Sequence, residues 1–346
     1  MPAPRIMNVM LAPGGGGLET MALNYVRALD LQGAEVLSVG LMGSWFEYRL
    51  ASDRREHHLL RQLSPIDPRQ AWRLRRIADG FSPNLVIAHG SRGAAVAIPA
   101  MRKSGVPVAV VMHNFRARPI VRDADLVIAV SQIVARDIRQ RLPDVRVTAV
   151  DNFVELQRGA VRASLHDPPI IGGLGRLHEE KGFDILLDAG ALLRDRGRDC
   201  VICIGGEGPA REALLGRCDQ LNLSDRVEFL HWVGAYDFLS QLDICACPSR
   251  TEAFGLVVLE ALAAGTPVVA TDIEGPREIL GHGQYGRLVR TGSAEALADG
   301  LEASIDDRAG AVAMAVLAQA EAVDAYDLPA GAERLWAALA PLMSSG

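Results

Sequence analysis

The chain alternates short apolar runs with longer helical patterns, and it does so twice along 346 residues. In the first half, strand-like runs lie at residues 5–11, 34–40, 85–88, 106–112, 126–130 and 145–150. Helical patterns fall between them at 18–31, 71–81 and 133–141. The second half repeats the scheme, with strands expected at 170–174, 200–204, 227–230, 244–247 and 267–271. Its helices are expected at 183–196, 210–221 and 255–264. Strands that are apolar throughout are buried on both faces. Separated by helices, they belong to parallel sheets covered on both sides. The expected fold class is therefore α/β, with two doubly wound, Rossmann-like domains. The polar stretch RASLHDPP, 162–169, marks the expected boundary. That gives domains at 1–164 and 165–326, followed by 327–346, where 329–343 reads as an amphipathic helix.

Charge divides along the same line. Residues 1–165 hold 22 Lys and Arg against 14 Asp and Glu, whereas the rest hold 14 against 28. The basic excess is dense over 49–76, RLASDRREHHLLRQLSPIDPRQAWRLRR, where Leu59, Leu60, Leu63, Trp72 and Leu74 are interleaved with arginine. Two readings stand side by side: a surface for anionic partners such as a membrane or a phosphorylated acceptor, or a solvated arginine-rich helix pair. Nucleic acid is disfavoured because the whole chain carries a net charge of −6 and shows no nucleic-acid motif. No apolar run approaches the roughly 18 residues of a membrane span. The start, MPAPRIMNVMLAPGGGG, lacks the pattern of a signal peptide. A cytoplasmic protein is expected, with a possible seat on the inner face of the membrane. The five cysteines read as buried apolar residues. Cys200 and Cys203 point to opposite faces of a strand, and Cys245 with Cys247 share one face of another.

Ligands of open parallel sheets bind beyond the carboxyl ends of the strands. Residues in those positions are Gly14–Gly17, His89, His113 with Asn114, Ser131 and Asn152 in the first half. In the second half they are Gly175 with Arg176, Gly205–Gly208, and Pro248 with Ser249. The run PSRTEAFGLVVLEALAAGTPVVATD, 248–272, adds two glutamates to an otherwise apolar, small-residue segment. Glutamate is rarely buried without a partner. Glu252 falls in the loop after a strand, and Glu260 in the helix that follows. The amides at 253–256 sit at that helix's start, where anions bind. A phosphate seat flanked by two hydroxyl-accepting carboxylates suits a diphosphate joined to two polyols.

These motifs together resemble the family-four retaining glycosyltransferases, which have the GT-B architecture. The E-x7-E of Glu252 and Glu260 carries the resemblance, along with GRLHEEKGFDILLDA (175–189), GGEGP (205–209), GGGGLETMALNYVRAL at the first loop and helix, and VMHNF around His113. The resemblance implies two Rossmann-like domains facing a central cleft, with the last helix crossing back to the first domain. By the same resemblance, Glu252 holds hydroxyls of the donor sugar and Glu260 those of the ribose. Arg176 and Lys181 neutralise the departing diphosphate, and His113 contacts the sugar near the reacting carbon. Gly15, Gly16, Gly206, Phe254, Gly255 and Leu256 complete the donor seat. His89 and Asn114 lie on the acceptor side.

The activity implied is hexosyl transfer with retention of anomeric configuration, from a UDP- or GDP-type sugar to a saccharide or glycolipid acceptor of a lipopolysaccharide or other surface glycan. No metal and no cofactor are expected, since Arg176 and Lys181 supply the positive charge. A nucleotide-sugar epimerase and a catalytically silent scaffold are the alternatives. Asp123-Ala124-Asp125 spells a metal-binding D-x-D but precedes a strand, so it reads as surface. Two positions depart from the family pattern: His231, where glycine is usual, and NFVE at 152–155, a loose form of N-G-V-D.

Overall fold

A computed structural model describes residues 2–14, 16–53, 55–61 and 69–343. The chain divides into two compact units. The first runs to Glu155 and resumes at Tyr326; the second is Leu156–Ala325. The segment 162–169, expected as the boundary, thus lies inside the second unit. There it is tied down by Asp243, which is fully buried. The Asp243 carboxylate accepts from the backbone amides of His166 (3.1 Å) and Ile170 (2.8 Å) and from His166 Nδ1 (3.0 Å).

The first unit contains β1 (Arg5–Met10), α1 (Gly17–Leu31), β2 (Glu35–Leu41), α2 (Trp45–Ser52), β3 (His57–Leu60), α3 (Arg69–Phe81), β4 (Leu85–His89), α4 (Gly90–Met101), β5 (Val108–Met112), β6 (Leu126–Ala129), α5 (Gln132–Arg141) and β7 (Val147–Ala149). The sheet order is β3-β2-β1-β4-β5-β6-β7, parallel throughout. β4 and β5 are buried at every position, which is why they read as continuous apolar runs.

The arginine-rich stretch is not a helix pair. Its centre is the edge strand β3, paired with β2 from Ser38↔His57 to Leu41↔Leu60. Four residues are too few for periodicity to separate strand from helix. Leu63 lies outside the described residues.

The second unit contains β8 (Ile170–Leu174), α6 (Phe183–Asp195), β9 (Val201–Gly205), α7 (Arg211–Gln220), β10 (Val227–Leu230), α8 (Ala235–Leu239), β11 (Ile244–Cys247), α9 (Leu256–Ala264), β12 (Val268–Thr271), α10 (Glu274–Ile279), β13 (Arg287–Val289), α11 (Ala294–Asp306) and α12 (Arg308–Glu321). Its parallel sheet runs β10-β9-β8-β11-β12-β13. Ile171, Leu186, Ile204, Ile244, Val269 and Leu301 form the centre of its core, drawn from both sheet and helices. The last helix, α13 (Leu328–Met343), packs on α1 in the first unit. Each unit is an α/β, Rossmann-like layer structure with helices around a parallel sheet. In both, the carboxyl ends of the central strands open into the loops singled out above.

Candidate active site

In the second unit, three loops leave the carboxyl ends of β8, β9 and β11 and lock together through main-chain groups. Gly175 N donates to Gly205 O (3.0 Å), Leu177 N to Glu207 O (2.8 Å) and Ala210 N to Leu177 O (2.9 Å). At Gly206, φ is +133° and an added Cβ would stand 2.0 Å from Gly175 O. At Gly182, φ is +69° and an added Cβ would stand 2.1 Å from Pro248 O. Only glycine permits such approaches. Arg250 then staples the β11 loop to the β8 loop. Its amide donates to Glu180 O (2.8 Å), and its guanidinium grips both oxygens of Asp184 (2.8 and 2.6 Å). The hydrogen bonds from Arg250 hold the Asp184 carboxyl below its ordinary range. A planar fork on two carboxylate oxygens fixes orientation as well as distance.

This frame aims Lys181 at Glu252, and the two form a short ion pair. Both line a small, half-open pocket with Leu174, Ser249, Gly255 and Val257. The pocket lies at the start of α9. Gly255 is left-handed (φ +107°), and the first turn closes with Val258 N donating to Gly255 O (3.0 Å). The helix therefore starts at Leu256, one residue later than expected. The amides of Leu256 and Val257 precede its first intrahelical bond, where helices attract anions. Phe254 is buried. Gly265 (φ +83°) ends the helix.

Glu260 lies just over one turn into α9 and is half-buried. Desolvation pushes its carboxyl up to about 7. No hydrogen bond or ion pair joins it to another described residue. Arg176 is exposed, and its guanidinium is likewise without a hydrogen bond or ion pair among the described residues. The structure thus brings Lys181, Glu252 and Gly255 into one pocket. Arg176 and Glu260 are outside its lining but on the same strand-end loop and the same helix.

In the first unit, His89 ends β4 and is 2% exposed. Its Nδ1 is 3.0 Å from His113 Nε2, and its Nε2 is 2.8 Å from Asn8 Oδ1. The Tyr25 and His89 rings meet in a T-shaped arrangement, their centroids 5.1 Å apart. Burial drives the His113 imidazole down to about 3. His89 lies well below its ordinary value, through burial first and the His113 neighbour second. Both rings are neutral. Asn114 is exposed, and its Oδ1 accepts from Arg116 N (2.9 Å). Gly15 lies outside the described residues. Gly16 precedes α1 in extended backbone (φ 166°).

Two groups escaped the sequence reading. Asn8, fully buried, is a polar residue inside the apolar β1 run RIMNVM, and that interruption was the available signal. The Arg250–Asp184 clamp had none, since its partners are 66 residues apart. Asp125 of the D-x-D accepts from Val108 N (2.7 Å) and Asp123 pairs with Arg102 (3.3 Å), both on the exposed surface.

Sequence profiles match both units. The profile of Glycosyltransferase Family 4 covers residues 15–158, and that of Glycosyl transferases group 1 covers 160–319. The chain is a family-four glycosyltransferase of the GT-B fold. This glycosyltransferase is 30% identical over 255 residues to the alpha-D-kanosaminyltransferase of Streptomyces kanamyceticus, spanning 62% of this chain and 66% of that one. It is 27% identical over 300 residues to the lipopolysaccharide core biosynthesis glycosyltransferase LpsE of Rhizobium meliloti (strain 1021), spanning 84% and 86%. Among solved structures, Anabaena Alr3699/HepE in complex with UDP and glucose superposes with a TM-score of 0.81 at 20% identity. That match covers 98% of this chain and 100% of that one, and it bears on the fold. Among the described residues, no helix is long and apolar enough to cross a membrane.

Proposed function

We propose that this glycosyltransferase moves a hexosyl unit, with retention, from a UDP- or GDP-type sugar to a saccharide acceptor on a lipid-linked surface glycan. The observation that carries the reading is the Lys181–Glu252 pair in a pocket at the start of α9. Lys181 and the α9 amides suit a diphosphate, Arg176 adds a free guanidinium beside it, and Glu252 suits sugar hydroxyls. Glu260 accepts from the ribose, and His113 accepts a hydrogen bond from a sugar hydroxyl. The bond from C1 to the β-phosphate oxygen breaks while the bond from C1 to the acceptor oxygen forms on the same face. The acceptor's proton passes to the departing phosphate oxygen. Lys181 and Arg176 stabilise the charge that the leaving diphosphate gains, so no metal is required.

Support for the acceptor class comes from the names of the lipopolysaccharide core relatives and from the first unit's surface. There Trp72 is 60% and Tyr48 71% exposed, and the Arg76 guanidinium lies 5.1 Å from the Trp72 ring. Aromatic side chains among arginines suit the interface of an anionic membrane.

The test is to incubate the protein with UDP- and GDP-hexoses and a glycolipid extract, with and without EDTA. An α-linked product from an α-linked donor, unaffected by EDTA, is expected. Donor consumed without acceptor would instead indicate an epimerase, an inverted product would overturn retention, and loss with EDTA would overturn metal independence.

A further inference from the structure

His113 and its neighbours in the first unit form a chain of hydrogen bonds whose direction can be read from one end. Asn8 sits in the middle of β1, fully buried. Its Nδ2 lies 3.2 Å from the carbonyl oxygen of Ala22 in α1. A carbonyl only accepts, so the nitrogen of the Asn8 amide faces Ala22 and its oxygen faces His89. Asn8 Oδ1, 2.8 Å from His89 Nε2, is likewise only an acceptor. The His89 proton therefore sits on Nε2, and Nδ1 carries the lone pair. That lone pair faces His113 Nε2 at 3.0 Å, so His113 Nε2 must bear the proton there. His113 Nδ1 is left as a bare acceptor, with no hydrogen-bond partner among the described residues. The alternative direction would set a carbonyl oxygen against a lone pair at the buried end of the chain.

We propose that Asn8 and His89 are positioning residues that lock His113 as its Nε2–H tautomer, so that Nδ1 meets the substrate only as an acceptor of a hydroxyl hydrogen bond. Which ring nitrogen of a histidine carries the proton is set by the bond its other nitrogen makes. Here that bond is set two residues back, by a backbone carbonyl of α1. Both rings are neutral because burial opposes their charging, so the direction survives through the physiological pH range. The buried Tyr25 ring, T-shaped against His89 and itself stacked on Phe153 (5.5 Å), holds the His89 plane. The inference rests on the reading that His113 serves the sugar, but its first test uses no sugar.

The experiment is nitrogen-15 NMR of histidine-labelled protein, reading the one-bond and long-range couplings of each ring. In the wild type, His113 is expected to show a pyridine-like Nδ1 and a pyrrole-like Nε2. A pyrrole-like Nδ1 would overturn the proposal. Asn8→Leu removes the anchor and leaves the His89 Nε2–H without an acceptor. The pair should then reverse, and His113 should become Nδ1–H. An unchanged His113 pattern in folded Asn8→Leu would show that Asn8 does not set the direction. His89→Gln preserves both a donor and an acceptor, so His113 should keep Nε2–H. It serves as the second variant should Asn8→Leu fail to fold, and reversal in His89→Gln would overturn the proposal. In activity assays, Asn8→Leu should lower kcat/KM about tenfold, the worth of one hydrogen bond, with His89→Gln falling less. A reversed tautomer with kcat/KM intact would sink the role of Nδ1 while leaving the relay. Absence of any glycosyl transfer in the wild type would sink the functional reading and leave the NMR result standing.

Discussion

Lys181 and Glu252 are ion-paired in the lining of one pocket, although they belong to loops from two different strands, β8 and β11. Each is mostly covered, with about a fifth of its side chain exposed. A bound diphosphate and sugar would divide this pair, the lysine turning to phosphate and the carboxylate to hydroxyls. Lys181→Met and Glu252→Gln should each lower kcat by about 10²–10³-fold, the usual worth of one preorganised polar group in a transition state. Stability should change by less than about 1 kcal/mol, because partly exposed pairs contribute little. Steady-state kinetics beside urea melts of each variant check this. Loss of fold in step with loss of rate would argue for a structural pair.

On the proposed ribose role of Glu260, donor binding should depend on pH. Its carboxyl is raised from 4.5 to about 7 by burial. The folded protein thus holds this proton more tightly than the unfolded chain does. The associated stability is complete below about pH 4.5 and is lost as pH rises through about 7. Glu260→Gln should remove that slope and gain up to about 3 kcal/mol at pH 8. Nucleotide affinity runs the other way, because only the ionised form accepts from two ribose hydroxyls. Wild-type Kd should be roughly tenfold weaker at pH 6 than at pH 8, following the ionised fraction. Calorimetric titration of UDP and GDP at both values measures it, and a flat profile would remove Glu260 from the ribose.

Gly206→Ala should destabilise the second unit by about 2–4 kcal/mol, through collision with Gly175 O and a positive φ. Gly216→Ala is the control. Gly216 lies in α7 with nothing within 4 Å of an added Cβ, so the change should stabilise by about 0.5–1 kcal/mol. Denaturation followed by hydrogen exchange in the second unit separates the two, since melting of a two-unit chain need not be two-state.

Trp72→Ser with Tyr48→Ser should weaken binding to vesicles containing anionic phospholipid by at least about tenfold, from the lost aromatic burial. Binding of the wild type should also fall as salt shortens the screening length below about 8 Å. Sedimentation with neutral vesicles is the comparison. Equal binding to both would remove the arginines from the account.

The central strands were legible because burial on both faces leaves an unbroken apolar signature, as in β4, β5 and β11. β3 and β13 were not, because HHLL and RLV are short and each opens on charged or polar residues, which leaves only two apolar residues in each. α4 was missed because four of its six buried residues are the small Gly93, Ala94, Ala97 and Ala100, beside only Ile98 and Met101, and because Pro99 falls inside it, where a helix pattern ordinarily ends. Within the site, Glu252 and Glu260 stood out as charges in apolar surroundings. The geometry around them did not, because it depends on carbonyl and amide contacts between loops far apart in sequence. Such contacts leave only glycines in the sequence, and a glycine does not name its neighbour.

The interlocked loops after β8, β9 and β11 separate what can vary from what cannot. Their shape is cast in main chain, with Gly182 and Gly206 touching carbonyls where no other residue fits. At the rim, His231 reaches out to pair with Glu207, and Trp232 is 58% exposed. A mutational library confined to such rim side chains would sample new ligand preferences on an unchanged casting. One that strayed into the glycines would return mostly unfolded protein. Divergence within such a lineage has the same two registers, one slow and steric, the other quick and chemical.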